Sequence, residues 1–378
     1  MVNAEKKKIL GGKHEARNGF ADGFMPLESL DLSKIKDADE MLQAMSKTSF
    51  AGRGLGEAAD VLYEMITDPD CFVVATFSGA MTVAKMSLVI CDMIDYGLIN
   101  AVVSTGALMA HGLVETTGQT HFKYNFEYND DDLGFAGYDR VYDTLELETN
   151  LDNLENIVRQ VFTSLSPEEK VSSRVLNEKL GEYLIKKSKQ RGIVKSAREK
   201  NVPIYIPAFS DSELGLDFAL FNRRQKIDGK KTLTFDPFLD LEHFAETILK
   251  QKKIGIFTIG GGVPRNWAQQ VAPYLDLIRY RIVTNSDPKR YYADKKDPYI
   301  KEYTYGVRIC PEPVNWGGLS GCTYSEGVSW GKFKDPRKGG KFAEVLCDAT
   351  AVWPLLVKGT LERLKKNKIK ISKKIEYA

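Results

Sequence analysis

The chain has 378 residues, 43% of them hydrophobic and 28% charged, which excludes an intrinsically disordered protein and allows a large buried core. Its 53 basic and 51 acidic residues nearly cancel to a formal +2, and the excess sits between Lys358 and Lys374 rather than on a folded face, which argues against a nucleic-acid binder. Five dispersed cysteines without a CxxC pair, four histidines at no ligand spacing, a polar lysine-rich start (Met1 to Lys8) and no apolar run of spanning length predict a cytoplasmic protein with no structural metal and no membrane segment.

In chain order, residues 1–50 read as an N-terminal arm or cap with one helix at Ala38–Met45. Phe50–Ile66 has helical apolar spacing at Ala58, Val61, Leu62 and Met65. Cys71–Phe77 reads as a buried strand that ends at Ser78-Gly79 and feeds a helix from Met81 to Tyr96. A second strand over Ala101–Ser104 turns at Thr105-Gly106 into a helix near Leu108. Two strand–turn–helix units in succession are the signature of a parallel sheet with crossover helices. Their small-residue turns stand at the carboxyl ends of strands, where open α/β sheets bind ligands and phosphates meet helix N-termini. Neither turn carries the GxGxxG dinucleotide fingerprint.

Phe122–Asp143, aromatic and acidic, reads as an excursion from the core. Helices are expected over Leu151–Leu165 and Pro167–Lys189, with a strand over Pro203–Pro207 leading into a loop that holds Asp211, Glu213 and Asp217. A helix over Phe238–Lys250 precedes the strand Ile254–Ile259, which delivers Gly260-Gly261-Gly262, a turn that tolerates positive φ and close ligand approach. Further strands are expected over Tyr280–Thr284 and Val345–Thr350, with a last helix from Ala351 and a solvated, partly frayed basic tail over 366–378. The expected fold is one large α/β domain over 51–365, with a doubly wound, mostly parallel Rossmann-like sheet and helices on both faces.

Chemistry concentrates in Ser325-Glu326-Gly327-Val328-Ser329-Trp330-Gly331-Lys332. A lysine amine attacks carbonyl or imine carbon only as the free base, so its pKa must fall from about 10.4. Trp330, two residues before Lys332, is a candidate for the apolar wall that would lower it.

These segments together resemble the deoxyhypusine synthase family over most of the chain from about Phe50 to Leu364. Glu326-Gly327-Val328-Ser329-Trp330-Gly331-Lys332 is similar to the family's EAVSWGK motif. Gly260-Gly261-Gly262-Val263, Asp211, and Cys347-Asp348-Ala349 followed by Trp353-Pro354-Leu355-Leu356 support it. The resemblance implies an NAD-dependent transfer of a four-carbon aminobutyl group from spermidine through an imine on Lys332, in a homotetramer with active sites at subunit interfaces. Trp330 then matches the residue that walls the alkyl chain and Glu326 the acid that anchors an ammonium. Ser78, Gly79, Ser104, Thr105, Gly106, Asp211, Gly261, Gly262, Asp348 and Ala349 match positions that hold NAD. Carboxylates for a di- or tricationic substrate are expected among Asp211, Glu213, Asp217 and Glu326.

The chain departs from the family pattern in three places. Asn266 stands where the family has a histidine after the glycine triplet, and Ala110-His111 stands for paired glutamates. Leu216, one place before Asp217, and Leu319 replace aspartates that contact the polyamine. Asparagine does not shuttle protons, but His111 has the ordinary pKa for it. The altered carboxylates argue for a changed donor or acceptor amine, and the chain resembles the divergent branch that uses a free diamine as acceptor, with putrescine giving homospermidine. The other readings are modification of a lysine of a translation factor, and a non-catalytic NAD- or polyamine-binding relative.

Overall fold

The structure, a computed structural model, describes residues 18–284 and 297–378; residues 1–17, with the first part of the expected arm, lie outside the described residues. The strands are β1 (Cys71–Phe77), β2 (Ala101–Ser104), β3 (Phe122–Lys123), β4 (Tyr138–Val141), β5 (Thr144–Leu147), β6 (Lys170–Val171), β7 (Ile204–Tyr205), β8 (Thr234–Phe235), β9 (Lys253–Ile259), β10 (Tyr303–Ile309) and β11 (Lys341–Val345). Six of them form one all-parallel sheet in the order β11-β10-β9-β1-β2-β7. From β1 the chain winds outward through β2 to β7, crosses back to β9, and winds the other way to β11. The winding therefore reverses between β1 and β9, the place where open α/β sheets open a crevice for ligands.

The sheet is buried on both faces, as the largely apolar β1, buried at every position, requires. Side-chain alternation sends Val73, Ala75 and Phe77 into one core with the helices Phe50–Thr67, Gly106–Thr116 and Ala349–Lys366. Phe72 and Val74 enter the other, with Phe238–Lys250 and Gly262–Ile278. The β1–β9 register places Thr76 opposite Thr258, and their hydroxyls hydrogen-bond at 2.9 Å across this dry seam. The expected single α/β domain with a doubly wound parallel sheet is what forms.

Several elements differ from the sequence reading. The helix expected from Met81 is confined to Ser87–Asp95, because Met81–Lys85 makes a turn that ends with Lys85 at φ 65°. The helices expected at Leu151 and Pro167 run over Glu148–Thr163 and Ser173–Lys187; the second starts later because Ser172 accepts from Val175 N as its cap. The apolar Tyr280–Thr284 stretch is not a strand: Arg279–Val283 continues the preceding helix with a wider, π-type turn. Ile282 there is 74% exposed, so the run's strand-like composition meets no core, and its place in the sheet is taken by β10. The last strand ends at Val345, because the Asp348 carboxylate accepts from Thr350 N and opens the helix at Ala349 rather than Ala351.

The Phe122–Asp143 excursion is ordered. Strands β3, β5 and β4 form a small antiparallel sheet over Tyr124, Leu133 and Leu145. The basic tail is docked rather than frayed. It crosses the amino ends of the strands as an extended strap, with Lys373 donating to Cys71 O (2.7 Å) and Tyr377 OH to Asn100 O (3.0 Å). Among the described residues no helix is long and apolar enough to cross a membrane.

Candidate active site

At the reversal point, Ser78 leaves β1 and its hydroxyl donates to Ile259 O (3.1 Å) while accepting from Gly261 N (2.9 Å). This ties the first small-residue turn to the glycine triplet. Gly260 (φ 73°) and Gly262 (φ 60°) adopt left-handed backbone, and a Cβ on Gly261 would sit 2.5 Å from Ser320 Cα. The helix Gly262–Ile278 starts here. The helix Gly106–Thr116 starts beyond β2, with Thr105 as the cap that accepts from Leu108 N. Ala349–Lys366 starts beyond β11 with Asp348 as its cap. The glycine cradle beside Ser78, at the start of the helix Gly262–Ile278, suits a phosphate group, and the starts of the other two helices line the same carboxyl edge beyond β2 and β11. The expected NAD positions Ser78, Gly79, Ser104, Thr105, Gly106, Gly261, Gly262, Asp348 and Ala349 all lie in these turns, and the residues fit that group. Asp211, exposed in the loop after β7, is adjacent: Gly106 and Ser212 approach so closely that a Cβ on Gly106 would lie 2.2 Å from the Ser212 hydroxyl.

Lys332 is set by its own motif. Glu326 lies in the short helix Tyr324–Ser329, and Gly331 turns the chain with φ 66°. Lys332 N then donates to Gly327 O, Lys332 O accepts from Tyr303 N, and Lys334 N donates to Tyr303 O, clamping the segment against β10. Phe333 fills the space beside Gly327, where a Cβ would meet its ring at 2.4 Å, and packs with Tyr303, Tyr324 and Phe342. The motif's glycines are thus packing requirements as well as turns.

The Lys332 side chain is half-buried, and its amine lies 3.3 Å from Asn266 Oδ1. Burial lowers its pKa, and the Arg265 guanidinium adds to the effect, while Cys322 and Glu326 oppose it. Arg265 is buried and donates to Cys322 O (2.8 Å). The expected apolar wall is elsewhere: Trp330 is 69% exposed, beside a cleft of about 1030 Å³ that it lines with Lys301, Lys334 and Asp335. Desolvation by the fold and a buried cation, rather than the tryptophan, depress the amine. Arg265 and Ser320 were missed by the sequence reading. An arginine after Pro264 reads as a solvated helix start until the fold buries it.

The remaining residues form a second group, in which His111 on the helix Gly106–Thr116 meets side chains from β5, the loop before β3 and the helix Glu213–Ile227. His111 Nδ1 lies 2.5 Å from Glu146 Oε2, and its Nε2 lies 3.8 Å from Glu213 Oε1. Glu146 and His121 are buried, and the ligand-type atoms of His111, His121 and Glu146 fall within 4.8 Å of one another, which their sequence spacing does not reveal. Asp217, on the Glu213–Ile227 helix, has its pKa pushed up to about 6 by burial and by Glu155 and Glu213. The structure therefore brings Lys332, Asn266 and Glu326 together, and separately His111 with Glu213.

The family model for deoxyhypusine synthase matches residues 40–360. An Archaeoglobus fulgidus protein named "Probable deoxyhypusine synthase 2" is 32% identical, over 84% of this chain and 96% of its own. A Chlorobaculum parvum "Deoxyhypusine synthase-like protein" is 30% identical, over 90% and 91%. A crystal structure assigned to a deoxyhypusine synthase of Entamoeba histolytica superposes with a TM-score of 0.55 at 14% identity, over 89% of this chain and 97% of that one, a likeness of fold. The chain belongs to the deoxyhypusine synthase family.

Proposed function

We propose that this chain transfers a 4-aminobutyl group from spermidine, through an imine on Lys332, to a free diamine such as putrescine, giving homospermidine. The observation that carries the reading is the half-buried Lys332 amine, depressed by burial and by Arg265 and held at Asn266. A lysine amine shifted toward its free base is the better nucleophile toward imine carbon. When bound, NAD supplies a hydride acceptor and donor at the helix ends, so the cycle is redox-neutral. Lys332 attacks the imine carbon of the oxidised donor, the C–N bond to 1,3-diaminopropane breaks, and the leaving amine takes a proton. The acceptor amine then displaces Lys332 in the same way. His111 is assigned to proton transfer, Glu326, Asp211, Glu213 and Asp217 to the substrate ammonium groups, and Trp330 to the alkyl chain. A cytoplasmic homotetramer, catalytic over 51–365, completes the reading.

The free-diamine acceptor rests on the two lost aspartates. Leu216 and Leu319 are 61% and 53% exposed, presenting apolar surface at two places where the family pattern has a carboxylate, which supports a changed amine substrate. A second reading, with a lysine of a protein as acceptor, is favoured by the names of the relatives. The test incubates the protein with NAD and spermidine, reduces with borohydride, and locates the added mass, with Lys332→Ala alongside. An aminobutyl adduct on Lys332 and homospermidine released from putrescine without protein acceptor are expected. An adduct without homospermidine moves the assignment to the protein acceptor, and no adduct removes the transferase reading.

A further inference from the structure

The second group of titratable side chains is a row that crosses the excursion sheet. Glu146 sits in β5 between Leu145 and Leu147 with only 2% of its surface exposed, and a carboxylate buried that deeply requires cationic or hydrogen-bonding partners. Its Oε2 takes His111 Nδ1 at 2.5 Å and faces His121 Nε2 at 3.4 Å. Behind His121, the Lys85 amine lies 3.2 Å from Nδ1 and pairs with Glu115 at 2.5 Å. An ammonium has only donors, so His121 Nδ1 must accept and its proton must sit on Nε2, turned toward Glu146. The same logic puts a proton on His111 Nδ1, donated to Glu146, and leaves Nε2 toward Glu213. A metal ion would need His121 Nε2 bare, which would set an Nδ1 proton against the Lys85 ammonium. The row therefore carries protons.

We propose that Glu146 is a positioning residue for His111, braced by His121 and Lys85, which fixes the ring's tautomer and holds the imidazolium with Nε2 presented to Glu213. This rests on the transferase reading in taking His111 as the proton-transfer group. The charged groups facing the ring are Glu146 and Asp139 from the excursion sheet and Glu213 from the helix after β7. Burial lowers the His111 pKa, but the Glu146 hydrogen bond and these charges outweigh it, and the ring titrates above its ordinary value. Glu146 is correspondingly drawn down to about 2 by the two histidines, against its burial. A carboxylate at position 111 would be an ionised acceptor at neutral pH, whereas a histidine held this way keeps its transferable proton to higher pH than a free imidazole does.

The chain has four histidines, so ring titration by NMR on the full-length ligand-free protein is tractable, with each signal assigned by single substitution. His111 is expected to hold its proton on Nδ1 and to titrate above about 6.5. Glu146→Gln should lower its midpoint by at least about one unit, a tenfold change in the ratio of imidazolium to imidazole at fixed pH. The pH profile of kcat/KM should move by the same amount, and Glu146→Asp should recover part of it. Glu213→Gln, at a part-exposed position, should lower the midpoint less and carries the test if the buried variant does not fold. An unchanged His111 midpoint in both glutamine variants overturns the proposal, as does a moved midpoint with an unmoved rate profile. Zn²⁺ that abolishes titration of both His111 and His121 at stoichiometric addition also overturns it. A wild-type protein without transferase activity would sink the transferase reading, while the ring titration still decides the positioning.

Discussion

The Lys332 amine lies 3.3 Å from Asn266 Oδ1, one residue along the helix from the buried Arg265 that depresses it. The two neighbours act in opposite directions. The amide oxygen accepts from the ammonium and favours the charged form, while the guanidinium repels it. Asn266→Leu should move the midpoint for Lys332 reactivity to lower pH, and Arg265→Met to higher pH. The readout is trapping of a small aldehyde on Lys332 with borohydride across pH, which needs neither NAD nor polyamine. Shifts of the same sign in both variants would refute this division of roles.

Asp217 gives a prediction for stability. Its folded pKa of about 6 lies above the ordinary carboxylate value, because burial and then Glu155 and Glu213 disfavour its charge. A raised acid destabilises the fold once pH passes the unfolded value, and the full cost is present above the folded one. Asp217→Asn should therefore stabilise the protein by about 1 kcal/mol at pH 8 and leave it unchanged at pH 4. Spermidine should raise the melting temperature of the wild type more than that of the variant at pH 8. Equal shifts would remove Asp217 from the ammonium-binding set.

Gly327 tests the packing of the lysine motif. A Cβ there would meet the Phe333 ring at 2.4 Å, and Phe333 sits in a ring cluster with Tyr303, Tyr324 and Phe342 that has no slack. Gly327→Ala should cost about 1–3 kcal/mol by overpacking and displace Lys332, whose N–H is donated to Gly327 O. Chemical denaturation together with aldehyde trapping measures both. Native stability with native trapping would show that the ring moves aside freely.

The sheet was legible because its central strands are largely apolar runs bounded by Ser, Thr and Gly, a pattern that belongs to buried parallel strands. The motif around Lys332 was legible as a motif, but not the cause of its depressed amine. That cause is burial first and Arg265 second, and Arg265 is held on the carbonyls of Leu319 and Cys322 more than fifty positions away along the chain. Tyr280–Thr284 misled because β-branched and aromatic composition reports fitness for a half-buried surface, and this run meets solvent instead. The His111, Glu146 and His121 row escaped for the reverse reason. Glu146 alternates with leucines as a solvent-facing strand residue would, and only the docking of β5 on the His111 helix turns its carboxylate inward.

The tail reads as a solvated, frayed end because eight of the thirteen residues 366–378 are polar or charged, yet its spacing suits an extended strap. Ile371, Ile375 and Tyr377 pack on the two cores at alternate positions. Lys373 reaches Met65 O and Cys71 O, while Gln251 Nε2 donates to Glu376 O (2.8 Å) and Ala378 N to Thr247 Oγ1 (3.1 Å). Burial holds the Lys373 amine below its ordinary pKa, so the lysine is spent on carbonyls at the strand ends and not on solvent. Removing residues 371–378 strips three apolar side chains and these bonds, against the entropy regained by the freed segment, a net loss of about 2–4 kcal/mol. The truncated chain should melt several degrees lower while Lys332 trapping at 25 °C stays intact, since the strap lies at the amino ends of the strands and the glycine cradle at the carboxyl ends. Coincident melting curves for the two chains would mean that the strap contributes nothing to the fold, and lost trapping below the melt would mean that it reaches the site.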